Sequence, residues 1–174
     1  MLSQIVVSLL LLIPVTTLIT YYDVRYRRIP NTLVLATLLG GLILNVAAGG
    51  WEGGLASLKG GALAFGLMLV LHIFSAMGAG DVKLFGAIGS VIGVSLVFQT
   101  FLVVLITGGA LAVIVSVRKG RLRETMNHVL LIFVNLLSGW QPPRFPAPQD
   151  RSATIPYGVA ITFGTLISLV LYQR

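Results

Sequence analysis

Charge is scarce in this chain and confined to short clusters, and that constrains the fold more than any single motif. Residues 1–22, 31–51, 60–80, 84–117 and 152–173 contain no Asp, Glu, Lys or Arg, and only His72 could add charge within them. A bilayer core of about 30 Å needs about 20 helical residues, so four of these stretches fit one crossing each. Only 10% of the chain is charged and its mean hydropathy is +0.97, whereas soluble domains carry about 25% charged residues. The expectation is an all-α membrane protein forming one polytopic domain over residues 1–174. A net charge of +7 would point to nucleic acid in a soluble protein. Here the basic residues sit between apolar runs, which is a topology signal and argues against a nucleic-acid partner.

The stretch 84–117 is too long for one ordinary crossing, since a single helix of that length would run about 50 Å. The basic clusters are Arg25/Arg27/Arg28, Lys83, Arg118/Lys119/Arg121/Arg123 and Arg144/Arg151. Placing all of them on the cytoplasmic side requires an even number of crossings between Lys83 and Arg118. The stretch is therefore predicted to be two helices, the first from about Val82 to Ile92, with a tight turn near Gly93. Six crossings follow, with both termini outside. The first stretch lacks a basic n-region and a small-residue cleavage site, so it reads as a retained span and not a signal peptide. "GGWEGG" reads as a flexible outer turn. Residues 118–151 read as a cytoplasmic or interfacial loop. Within it 125–143 forms an amphipathic interfacial helix on the spacing of Met126, Val129, Leu130, Phe133, Leu137 and Trp140, followed by Pro-rich "PPRFPAPQD". Gly60, Gly61, Gly66, Gly86, Gly89, Gly93, Gly108 and Gly109 are suited to close helix approach.

Chemistry has few carriers. There is no cysteine, which removes disulfides, thiolate metal sites and cysteine nucleophiles. No Gly-x-Ser-x-Gly occurs, and no second His or Cys stands at metal-ligand spacing from His72, so no metal or cofactor is expected. Of the five acids, Asp23 ends the first uncharged stretch and Asp81 opens the fourth helix. Topology brings both to the same face. Ionisable residues at membrane depth are costly and tend to be functional. Two carboxylates held close share a proton, and such a pair can activate water and protonate a leaving amine. The glycines of Gly78-Ala79-Gly80-Asp81 permit unusual φ/ψ and close backbone approach, which would let an extended substrate lie in the cleft. A plainer alternative stands beside this one. Asp23 next to its arginines is then a solvated interfacial charge, and Asp81 a helix cap. Lys83 reads as an interface anchor and His72 as a polar contact between helices.

"YYDVRYRRIPN" followed by "GAGDVKLFGAIG", with "ATIPYGVAI" near the last span, resembles the type IV prepilin peptidases, membrane aspartic proteases with a GxGD motif. The compact form resembles their Tad/CpaA branch, which serves Flp-type pili. The resemblance implies that Asp23 and Asp81 are the catalytic pair. The substrate would be a prepilin, whose short basic leader is cut just after a glycine at the cytoplasmic face of the bacterial inner membrane. Bifunctional members also methylate the new N-terminus and carry an added segment with paired Cys-x-x-Cys motifs. The absence of cysteine argues against that domain and against methyl transfer. Two readings from other classes remain beside the protease: a transporter or channel using the two acids as a proton relay, and a pilus or secretion scaffold.

Overall fold

The computed structural model describes residues 2–73, 77–120, 123, 126, 127, 130 and 157–172. The elements they form are helices: α1 (Leu2–Tyr26), α2 (Asn31–Ile73), α3 (Ala79–Ile92), α4 (Val94–Arg118) and α5 (Tyr157–Leu171). In a lipid-like interior every backbone N–H and C=O must be bonded within its own segment, and apolar stretches of this length meet that demand as helices. α2 and α4 are each long and apolar enough to cross a membrane.

α2 is two arms joined at Gly50, whose φ of 56° and ψ of −138° are non-helical. Asn45 and Ser57, on opposite sides of that glycine, both bond the carbonyl of Ser90, so the arms fold back against each other. The flexible turn expected at "GGWEGG" shrinks to Gly50 alone, with Trp51 onward helical. Only a residue without Cβ takes that φ at little cost, and continuing the helix on either side leaves few backbone groups unbonded. Gly93 (φ 71°, ψ 167°) separates α3 from α4 where a turn was predicted. α3 begins at Ala79, three residues before the predicted start, because Asp81 reaches back to close its first turn. The interfacial helix expected over 125–143 lies outside the described residues except for Met126, Asn127 and Leu130, which are helical and exposed.

Polarity is arranged inside out. Leu10, Ile43, Ile106 and Val170 face outward, whereas Thr37, Ser57, Thr100, Thr165 and Ser168 are buried. Lipid tails are as apolar as leucine, so helices associate through close packing and internal hydrogen bonds. α3 lies across both arms of α2 on a seam of small residues. A Cβ at Gly60 would collide with the carbonyl of Gly89, and one at Gly89 with Ala64. In the same seam Asn45 Nδ2 donates to the carbonyls of Gly41, Ser90 and Val91 at 2.9, 3.0 and 3.2 Å, and Ser57 Oγ to Ser90 at 2.8 Å. α5 packs against α1 and α4 through Thr20–Thr162 (2.9 Å) and Thr100–Ser168 (2.8 Å). Leu84, Phe85, Ile88, Val97 and Ile161 fill the centre.

Candidate active site

At one end of the bundle four helix ends converge. α1 delivers Asp23 on its last turn. The chain leaves α1 through Arg27, whose N–H bonds the Asp23 carbonyl at 3.0 Å. Arg27 has φ 52°, and it is the one non-glycine with positive φ among the described residues. Glycine or asparagine is usual at such a helix exit, and an arginine there costs about 1–3 kcal/mol.

α3 begins with Gly78, extended at φ −76° and ψ 152°. Its N–H donates to Asp81 Oδ2 at 3.1 Å, and the Asp81 N–H returns a bond to the Gly78 carbonyl at 3.1 Å. One oxygen of Asp81 thus does the helix-capping work that the plainer alternative assigned to it, from the third helical position. Neither Gly78 nor Gly80 takes a positive φ, so unusual backbone angles are not what they supply. What they supply is closeness: a Cβ on Gly78 would stand 3.2 Å from Asp81 Oδ2, and one on Gly80 would rest at 3.7 Å against Ile29. His72, at the end of α2, bonds the Met77 carbonyl at 2.7 Å through Nδ1 and faces Asp81 electrostatically. It secures the approach to α3 and not the helix–helix contact expected of it. Lys83 is exposed and lines the end of an apolar groove of about 560 Å³ between α3 and the arms of α2.

The fourth contributor was not foreseen. The start of α5 closes the site, with the N–H groups of Gly158 and Val159 directed at Asp23 and the Tyr157 phenol within electrostatic reach of Asp81. A Cβ on Gly158 would stand 2.7 Å from Asp23 Oδ2, so only glycine lets this helix start come so near. "IPYGVAI" held a signal, a glycine after a proline-led helix start, but nothing local tied it to either aspartate.

Both aspartates stand just outside the uncharged stretches that form the spans. Burial pushes the Asp23 carboxyl up, while the Gly158 N–H, the Arg27 guanidinium and the Val159 N–H oppose the rise. Asp81 is pushed up to about 7, first by burial and then by the charge of Asp23, against the pull of the Gly78 N–H and His72. Asp81 therefore senses the charge of Asp23, as an acid near another in an enclosed site does. Asp23 Oδ2 and Arg27 Nη1 are both buried with no hydrogen-bond partner among the described residues. Leaving such groups unmade costs about 1–3 kcal/mol each, and buried orphans of this kind are rare enough to need a reason. No group of three or more potential metal ligands occurs among the described residues.

A bundle whose described residues are helical, with exposed apolar surfaces, two helices long enough to cross a membrane and convergent acids at one end, suggests a membrane protein. A sequence profile of the type IV leader peptidase family matches residues 10–113, more than half of the chain, including both aspartates and the Gly-Ala-Gly before Asp81. The chain belongs to that family, and membership makes it a membrane peptidase of the kind that processes prepilin leaders. Searches of curated proteins and of solved structures return no significant match.

Proposed function

We propose that the protein is an aspartic endopeptidase that removes the short basic leader of a Flp-type prepilin at the cytoplasmic face of the bacterial inner membrane. Asp23 and Asp81 are its catalytic pair. The observation that carries this reading is the convergence of two carboxylates, 58 positions apart in sequence, close enough that the charge of Asp23 raises the proton affinity of Asp81. The six largely apolar helical arms, counting α2 as two, suit six crossings with the basic clusters inside. The loop of residues 118–151 belongs to the same single domain.

Asp23 faces N–H donors and an arginine, all of which favour its ionised form, so the shared proton resides on Asp81. Asp23 takes a proton from the attacking water as its oxygen bonds to the scissile carbonyl carbon. Asp81 gives its proton to the carbonyl oxygen. Collapse of the tetrahedral intermediate returns that proton to Asp81, while Asp23 passes its own to the departing amine, which restores the pair. Gly78 and Gly80 keep side chains off the backbone beside Asp81, leaving room for an extended peptide. No metal or cofactor enters the reaction.

Replacing Asp23 or Asp81 with Asn tests this. Each variant should lose prepilin cleavage by at least about 10³-fold at unchanged abundance in membranes, in line with the loss of a general acid or base. Full cleavage by either variant would overturn the reading. Loss of a proton-coupled flux in the same variants, with cleavage intact, would make the pair a relay instead.

A further inference from the structure

We infer that Arg27 is a third catalytic residue, whose Nη1–H donates to the scissile carbonyl oxygen of the bound peptide. This rests on the protease reading above.

Three observations meet at this side chain. Arg27 Nη1 is a buried donor without a partner, and Asp23 Oδ2, one helical turn earlier, is a buried acceptor without one. The two groups are close enough for the guanidinium to act on the carboxylate electrostatically, yet these two atoms do not satisfy each other. A donor and an acceptor held apart in this way match what a peptide and its attacking water bring: a carbonyl oxygen for Nη1, and a water proton for Oδ2. An extended peptide in a water-poor site has its own carbonyl to satisfy, so the fit removes three orphans together.

The third observation is the backbone. Arg27 holds φ 52°, a region that an L-residue with a long side chain rarely enters. Such conformations persist where surrounding structure enforces them, and they gather at working sites. Nothing at the exit of α1 needs an arginine for the turn itself. Its neighbours Arg25 and Arg28 are exposed, and membrane-surface anchoring is open to them without a buried guanidinium. Only the third arginine is turned inward.

The chemistry follows from charge. As water adds to the carbonyl carbon, negative charge gathers on the carbonyl oxygen. A fixed cationic donor aimed at that oxygen stabilises the transition state more than the ground state. Asp81 delivers the proton to the same oxygen, so Arg27 is the second donor of the pair that holds it. No bond to Arg27 forms or breaks.

The test uses Arg27→Gly in the full chain in lipid vesicles. The probe is a synthetic prepilin with a basic leader ending in glycine and an apolar helix of about 20 residues. Glycine suits φ 52°, so this variant keeps or gains thermal stability while losing the donor. The expected result is a fall in kcat of about 10²–10³-fold, the usual cost of one such donor. KM should stay within about threefold, the loss should persist at the variant's own pH optimum, and added guanidinium chloride at millimolar levels should restore part of the rate. Arg27→Lys should keep more activity than Arg27→Gly, and Arg28→Gln should behave as the unaltered protein.

Undiminished kcat in Arg27→Gly overturns the inference. So does a loss that raising the pH fully recovers, since that would show Arg27 acting only by keeping Asp23 ionised. Failure of the unaltered protein to cut the probe, or full activity of Asp23→Asn, would instead remove the protease reading itself.

Discussion

Two polar clusters lie within this apolar bundle, and they are built on opposite terms. In the seam between α2 and α3, Asn45, Ser57 and Ser90 spend their hydrogen bonds on nearby carbonyls, and glycines let the backbones meet. At the convergent end, Asp23 and Arg27 each leave a buried atom unbonded, and Arg27 is held in an unfavourable backbone region. Satisfied polarity in a membrane bundle fixes helices to one another. Unsatisfied polarity, kept at a cost, marks where another molecule belongs.

The largest effect that should separate the two clusters comes from Gly158. Gly158→Ala places a Cβ against Asp23 Oδ2 at a spacing of 2.7 Å, so either the carboxylate or the start of α5 must move. A displacement near 1 Å at a reacting group costs about 10²-fold in rate. Peptidase assays should find that loss with the thermal midpoint nearly unchanged. A silent Gly158→Ala would mean that α5 does not shape the site.

The pH dependence comes next. Asp81 holds its proton up to about 7, against an ordinary carboxyl value near 4. In the proposed mechanism the pair needs that proton, so kcat should fall about tenfold per pH unit above about 7. The sign for stability follows from the same shift. The folded protein binds the proton more tightly than the unfolded chain, so the stability gained from it is full below about pH 4 and is lost as pH rises through about 7. Asp81→Asn should therefore flatten the pH dependence of thermal unfolding while abolishing cleavage. A seam variant should leave both profiles in place.

The smallest effect tests the satisfied cluster. Asn45→Leu removes the donor that three carbonyls share. Measured hydrogen bonds between membrane helices are modest, so the loss should be about 1 kcal/mol in stability, read by thermal unfolding in micelles, with kcat per folded molecule unchanged. A large fall in kcat would erase the distinction between the two regions.

Much of this arrangement was legible before any coordinates. Uncharged stretches located the helices, and basic clusters required the turn at Gly93. Asp23 and Asp81 stood out because acids are so few. What stayed hidden depended on tertiary contact or on local strain. Tyr157 and Gly158 sit in an uncharged stretch, and only the packing of α5 against α1 brings them to the aspartates. Tyr26-Arg27-Arg28 has no residue that favours a positive φ, so the inward turn of Arg27 left no mark in composition. "GGWEGG" misled for a related reason. Its glycines read as slack in water, whereas internal backbone bonding tightens the reversal to one residue. Asn45 and Ser57 gave no sign that they would share one carbonyl, since that pairing depends on how α2 folds back.

The length of α3 has one more consequence. Its 14 residues rise only about 21 Å, well short of a hydrocarbon layer of about 30 Å. From Leu84 to Val91 every residue of α3 is buried, so its neighbouring helices, and not lipid, meet its sides. A rod that protein encloses need not match any outer thickness, so its length is free to be set by where its first turn must hold Asp81.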